Sequence, residues 1–259
     1  MFKPTTKDIQ ILAKIYPKRI KELKTIFRKR ASIYIDFANV YHWQEKLKWH
    51  IDLKRLKRLF DSFKTVRQVR FYNGVLPGDE KSERIIKTAE KLGYIVTSKP
   101  VKKMQLSIDV SGIPKNSPAV LQKFIKKSLL RKFSIETIEY LNTQLEELNK
   151  RGIKTIEHWK CNFDVEIGRD MLIDHQQNKI DSFVLWSGDS DFEEPVKQLL
   201  KDKKFVAIFA TARRISPELA STGALIFELW KIKDFICWSS EMSKEVKTKL
   251  RLQKQKGLL

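Results

Sequence analysis

VLWSGDSDFEEPVKQL (residues 184–199) decides the fold. Phe183–Trp186 is a short apolar run without alternation, the pattern of a strand buried on both faces. It ends at a glycine-bearing turn, Ser187–Asp191, and passes into an amphipathic helix over Phe192–Lys201. The same unit recurs on either side. Ser32–Phe37, Val69–Tyr72, Tyr94–Thr97 and Phe205–Phe209 read as strands rich in β-branched and aromatic residues. Between them lie a helix capped by Asp52, with Leu53, Leu56, Leu59, Phe60 and Phe63 on one face, a helix over Asp79–Leu92 closed by Gly93, and a helix over Asp164–His175. Strands alternating with helices need crossover connections. The expectation is therefore an α/β fold of three layers, α/β/α, around a mostly parallel central sheet.

The flanking and middle segments read differently. Residues 1–30 form a basic helical extension with an apolar stripe of Ile9, Leu12, Ile15, Ile20, Leu23 and Phe27, broken at Pro17. The α/β domain is expected over 31–238, with an insertion at 101–152. Within the insertion, 101–118 reads as a loop (Gly112, Pro114, Pro118), and 119–132 and 134–150 read as helices. Such a helical insertion could cover the active face, bind a protein partner or form a homodimer contact, and the sequence does not choose. Ile153–Lys160 alternates as a strand that resumes the α/β pattern. Ser216-Pro217 opens a short helix, Leu225–Leu229 is a last strand, and 239–259 is a basic tail.

Among 259 residues, 52 Lys and Arg against 31 Asp and Glu give a net charge of +21. That excess points to a polyanionic partner, nucleic acid before an anionic membrane surface. No apolar run is long enough to span a bilayer, and the N-terminus lacks a signal peptide's apolar core, so no membrane association is expected. Two cysteines, Cys161 and Cys237, make no disulfide framework and suit a cytoplasmic setting. His158-x-x-Cys161 is half a zinc site without a second pair. Neither a nucleotide-binding glycine motif nor a nucleophile elbow is present.

The chemistry lies in acids at strand ends. Asp36 ends the first strand in Asp36-Phe37-Ala38-Asn39, where an open parallel sheet places its ligands, although Asp and Asn also make ordinary turns. Asp189 and Asp191 follow the buried strand. Asp191 with Glu194 and Pro195 also reads as a capping box, which leaves Asp189 without a structural explanation. Asp164 starts a helix, where an acid complements the helix dipole. Asp170 falls on another face and is at most a supporting residue. Acids from three separate turns that converge on one sheet edge would repel one another unless a cation holds them. A divalent ion, Mg²⁺ or Mn²⁺, would do so, would activate water and would stabilise a phosphodiester transition state.

IDFANVY (35–41), KCNFDVEIGRDML (160–172), VLWSGDSDFEEPVKQL (184–199) and SPELASTGALIFEL (216–229), in that order, resemble the NYN domain, specifically its LabA-like branch, within the PIN-like nuclease superfamily. The likeness spans about 32–100 and 153–236. It implies a PIN-like fold and a metal-dependent ribonuclease that hydrolyses single-stranded or unpaired RNA, leaving a 5′-phosphate and a 3′-hydroxyl. It also implies that Asp36, Asp164, Asp189 and Asp191 form the acidic metal quartet. Asn39 would orient Asp36 or a water, Ser187 would support the site from its turn, and Lys160 would contact phosphate. Cys161 replaces the usual glycine after that lysine, and Ala224 stands where many relatives have aspartate. Arg213 and Arg214, before Ser216, are further candidate phosphate contacts. Tyr41, His42, Trp43 and Trp49 interleave with Lys46 and Lys48, so their rings either stack on unpaired bases or pack under the next helix. The rival reading is a catalytically inactive RNA-binding module of the same fold.

Overall fold

The structure is a computed structural model that describes residues 1–125, 127–177, 179–211 and 215–255. The chain divides into two compact units, Met1–Pro100 with Cys161–Leu259, and Val101–Lys160. In chain order the first unit begins with α1 (Lys7–Ile15), α2 (Pro17–Ile26), β1 (Ala31–Asp36), α3 (Phe37–Leu47), α4 (Leu53–Asp61), β2 (Val66–Val75), α5 (Glu80–Lys91) and β3 (Ile95–Pro100). The second unit holds β4 (Lys102–Ser107), α6 (Lys127–Leu130), α7 (Ile135–Lys150) and β5 (Thr155–Lys160). The first resumes with α8 (Asp164–Gln176), β6 (Ser182–Trp186), α9 (Glu193–Lys201), β7 (Phe205–Ala210), α10 (Pro217–Ala220), β8 (Leu225–Glu228), α11 (Lys233–Ile236) and α12 (Lys244–Gln255). No helix among the described residues is long and apolar enough to cross a membrane.

The six-stranded sheet runs β3-β2-β1-β6-β7-β8, every neighbouring pair parallel. The chain winds one way from β1 to β3 and the other way from β6 to β8. With right-handed crossovers, that reversal sends helices to both faces and opens a crevice between β1 and β6 at their carboxyl ends. Alternation along the strands sorts the rings accordingly. Phe71 meets Phe37 of α3, and Trp186 meets Phe60 of α4 edge-on. On the opposite face, Tyr34 stacks on Phe183 and Tyr72 lies against Phe163. The result is the three-layer α/β/α arrangement.

On the α8 face, buried polar groups are satisfied as a set. Asp174, fully buried, accepts from Tyr34 Oη (2.7 Å), Gln68 Nε2 (2.5 Å) and Arg70 Nη2. Burial alone would push this carboxyl up, yet the bonds from Arg70, Tyr34 and Gln68 outweigh it and hold it below the ordinary carboxylate range. Removing one donor leaves the acid under-satisfied. Tyr34→Phe is expected to cost about 2 kcal/mol in urea unfolding at neutral pH, and an unchanged denaturation midpoint would refute the role.

The terminal segments join this core. Leu12, Leu23 and Phe27 from α1–α2, and Val246 from α12, are buried in the same cluster as the sheet. Both cysteines are free thiols.

The second unit departs from expectation in three places. Residues 102–107 form a strand rather than a loop, and Thr155–Lys160 pairs antiparallel with it instead of joining the main sheet. Alternation identifies a strand but not its partner. The expected helix over 119–132 is a 3₁₀ turn at Leu121–Lys123 and the short α6, whereas α7 fills the expected 134–150 segment and starts on a Ser134 cap. Leu121, Leu130 and Ile138 make a small apolar centre. Asn149 pins the loop by accepting from Val110 N–H and donating to the Ile108 carbonyl.

Candidate metal centre

Three acids from two distant segments meet at the carboxyl edge. Asp164, Asp189 and Asp191 each offer an oxygen within 4.8 Å of the others. Asp164 is the first residue of α8, and its backbone N–H donates to Asn162 Oδ1 (2.9 Å), an Asx turn that sets the helix start. The Asp164 carboxyl makes no cap. Its Oδ2 is buried and has no hydrogen-bond donor among the described residues; its near neighbour is the Asp191 carboxyl, which has no proton to give when ionised. Burial first, then the Asp191 carboxylate, to which only a protonated Asp164 can donate, and the charges of Asp189 and Asp191, raise Asp164 to about 7, against a lowering contribution from Asn162.

The capping roles in the SGDSDF turn are the reverse of those expected. Asp189, not Asp191, caps the 3₁₀ turn Ser190–Phe192, accepting from Asp191 N–H at 3.3 Å. That turn moves the start of α9 to Glu193, and Phe192 at its N-cap position provides no side-chain bond. Asp191 is exposed and free of a capping duty.

Asp36 lies outside the group of three. It caps α3, with Oδ1 accepting from Asn39 N–H (3.2 Å), and Oδ2 accepts from Ser187 Oγ (3.1 Å). Ser187 Oγ in turn accepts from Asp189 N–H (3.3 Å), so Asp36 is joined to the triplet through one fully buried hydroxyl. Burial, aided by the charge of Asp189 and opposed by the two bonds, raises Asp36 to about 6. The tie from Asn39 is through its backbone.

Other expected residues fall elsewhere. Trp43 is only 3% exposed, and Trp49 is fully buried. Both fill the core, so neither ring can stack on a base. Ser187 is buried behind Asp36 and cannot touch nucleic acid. Lys160 is exposed at the end of β5 in the second unit. Arg213 and Arg214 lie outside the described residues. Asp170 accepts from Tyr72 Oη and Arg169, a structural tie between α8 and the sheet. Lys99, which the sequence reading passed over, ends β3 with its ammonium 2.5 Å from Glu166 Oε1 and 4.7 Å from the Phe163 ring. Asn162 was also missed, although N-x-D before a helix is a readable Asx signal.

The triplet opens on a groove of about 740 Å³ lined by Asp164, Asp191, Val165, Leu172, Pro195 and Lys201. Its ligand set is all carboxylate oxygen, crowded, partly buried and short of donors. These properties fit a hard divalent cation.

The family profile described as the NYN domain matches residues 105–226, a span that holds Asp164, Asp189 and Asp191 and begins beyond Asp36. Low amplitude and bright protein LabA of Synechococcus elongatus is 24% identical over 208 residues, covering 80% of this chain and 87% of LabA. A Vibrio parahaemolyticus protein of unknown function has a TM-score of 0.50 at 18% identity, covering 81% of this chain and 96% of its own, a likeness of fold alone. By motif order, profile match and fold together, the chain is similar to NYN-domain proteins, with LabA among its relatives.

Proposed function

We propose that the protein is a metal-dependent ribonuclease acting on single-stranded or unpaired RNA. NYN domains are generally nucleases that use divalent metal. The observation that carries the reading here is the convergence of Asp164, Asp189 and Asp191 with a buried carboxylate oxygen that no donor among the described residues satisfies. Asp164, Asp189 and Asp191 would hold Mg²⁺ or Mn²⁺. A cation held there would neutralise charge on the scissile phosphate and acidify water.

The residues around it have separate tasks. Asp36, raised to about 6, stands behind the triplet where it adds negative charge and can accept a proton near neutral pH. Ser187 fixes the Asp36 carboxyl and the Asp189 backbone with one hydroxyl. The groove beside Asp164 and Asp191 gives a strand access. The net charge of +21 supports a polyanionic substrate.

The test is cleavage of 5′-labelled single-stranded RNA with Mg²⁺, with Mn²⁺ and with EDTA. Metal-dependent products ending in a 3′-hydroxyl support the reading. Binding without cleavage under every metal condition rejects catalysis and leaves an RNA-binding module. Ser187→Ala is expected to lower the cleavage rate about tenfold by freeing Asp36 from one of its two donors, and a parental rate would remove Ser187 from the site.

A further inference from the structure

Trp43 and Trp49 are buried, yet the surface along the same helix carries aromatic rings from elsewhere in the chain. α3 starts at the Asp36 cap, and half-buried Tyr41 lies about one turn into it. His50 follows the helix, and Trp238, beyond α11, lies flat on it with ring centroids 4.0 Å apart and planes at 12°. The stack is held by backbone: Trp238 N–H donates to the His50 carbonyl, and Ile51 bridges Cys237. Glu241 accepts from His50 N–H and meets Nδ1 at 2.7 Å, fixing the imidazole. With one face on His50, Trp238 still remains 47% exposed.

These rings border a cavity of about 520 Å³, within the range of small-ligand pockets. Lys54, Lys81 and Arg84 line the same cavity. Lys81 Nζ reaches Tyr41 Oη at 2.6 Å and lies 5.2 Å from that ring. Asp52 on the same wall is occupied in capping α4, and Glu241 is occupied by His50. A flat apolar wall beside three cations is the recognition chemistry of one nucleotide: the base stacks and the phosphate pairs.

We propose that this cavity binds a single nucleotide unit, with its base against the Trp238 wall and its phosphate among Lys54, Lys81 and Arg84. The proposal rests on the function above, in which an RNA strand engaged at the acidic centre supplies that nucleotide. Asp36, which Ser187 ties to the acidic centre, and Tyr41 on the cavity wall are about 7.5 Å apart along the helix, at 1.5 Å per residue, so a strand of several nucleotides can run from the centre to the cavity. A free nucleoside monophosphate offers the same base and phosphate.

The experiment uses the full chain carrying Asp189→Asn, so that RNA is not consumed. Anisotropy of a fluorescein-labelled twelve-nucleotide RNA and titration with AMP are compared for Trp238→Ala, Trp238→Phe, and Lys81→Glu with Arg84→Glu. The expected result is about tenfold weaker RNA binding for Trp238→Ala and for the charge pair, with Trp238→Phe near the parent. Loss of AMP binding in the same variants, with RNA binding unchanged, keeps the pocket and assigns it to free nucleotide. Unchanged binding of both ligands in variants that melt like the parent overturns the proposal. Should Trp238→Ala fail to fold, the charge pair and Trp238→Phe carry the same decision. A wild-type chain that cleaves RNA, with an idle pocket in these titrations, sinks this proposal alone. A wild-type chain that neither binds nor cuts RNA but holds AMP through Trp238 sinks the ribonuclease reading alone.

Discussion

Asparagine in place of Asp189 is expected to lower RNA cleavage about a thousandfold, roughly 4 kcal/mol of transition-state stabilisation lost with one carboxylate of the cation site. Asparagine is the informative choice because Asp189 does two things. Its oxygen caps the Ser190–Phe192 turn by accepting from Asp191 N–H, and an amide oxygen caps about as well. The charge alone is removed. RNA binding should persist or tighten, since a negative group facing a polyanion has gone. Asp170→Asn is the contrasting variant. Asp170 binds Tyr72 and Arg169 rather than the triplet, so its loss should weaken the fold while the cleavage rate of the folded protein stays within a few-fold. Single-turnover cleavage separates the two. Parental activity in Asp189→Asn would place the chemistry elsewhere or in a contaminant.

Metal-free protein should also become less stable as pH rises through neutrality, and divalent cation should reverse this. The sign follows from linkage. Asp36 and Asp164 titrate at about 6 and about 7 in the folded chain, above the ordinary aspartate value near 3.9 that applies when unfolded. Between those values the folded state binds more protons than the unfolded, so what these two groups contribute to stability is greatest below about pH 4 and declines from there to about pH 7. Acids held low, such as Asp174, act oppositely, but their contribution is complete above the unfolded value and is lost only on further acidification. They leave the window from pH 5 to 8 flat. After allowance for solvent screening around half-buried Asp164, the two raised acids amount to roughly 3 kcal/mol, or a fall in Tm on the order of 5–10 °C in EDTA. Excess Mn²⁺ should restore most of that at pH 8 and little at pH 5, because protonated carboxyls bind cations poorly. Asp164→Asn should flatten the profile and blunt the response to metal. Melting curves that ignore both pH and Mn²⁺ would count against a cation at this triplet.

Much of this was legible in the chain because it is local. Asp52 before Leu53 announces its cap, Gly93 its left-handed turn with φ of +80°, and the apolar run Phe183–Trp186 its burial on both faces. What failed depended on distance or on a fine choice between neighbours. Aromatics among lysines after α3's first turn have no periodicity that separates core from surface. Trp43 and Trp49 went inward, and the accessible ring at that place is Trp238, nearly two hundred residues away. Whether Asp189 or Asp191 caps depends on a single 3₁₀ turn between strand and helix, which composition does not encode. That Asp36 joins the other acids only through Ser187 is a matter of tertiary approach across β1 and β6.

The β4–β5 pairing has a consequence for how this chain can be cut and rebuilt. Lys102 sits opposite Lys160 in that antiparallel ribbon, which brings the entrance and exit of the inserted unit to neighbouring positions, about 5 Å apart at Cα. Every strand of the six-stranded sheet lies outside residues 101–160. A glycine bridge of a few residues could therefore stand in for the whole excursion without stretching the strands it leaves behind. The appendage could thus be shortened, lengthened or exchanged at one seam, while the scaffold that gathers the aspartates stays intact.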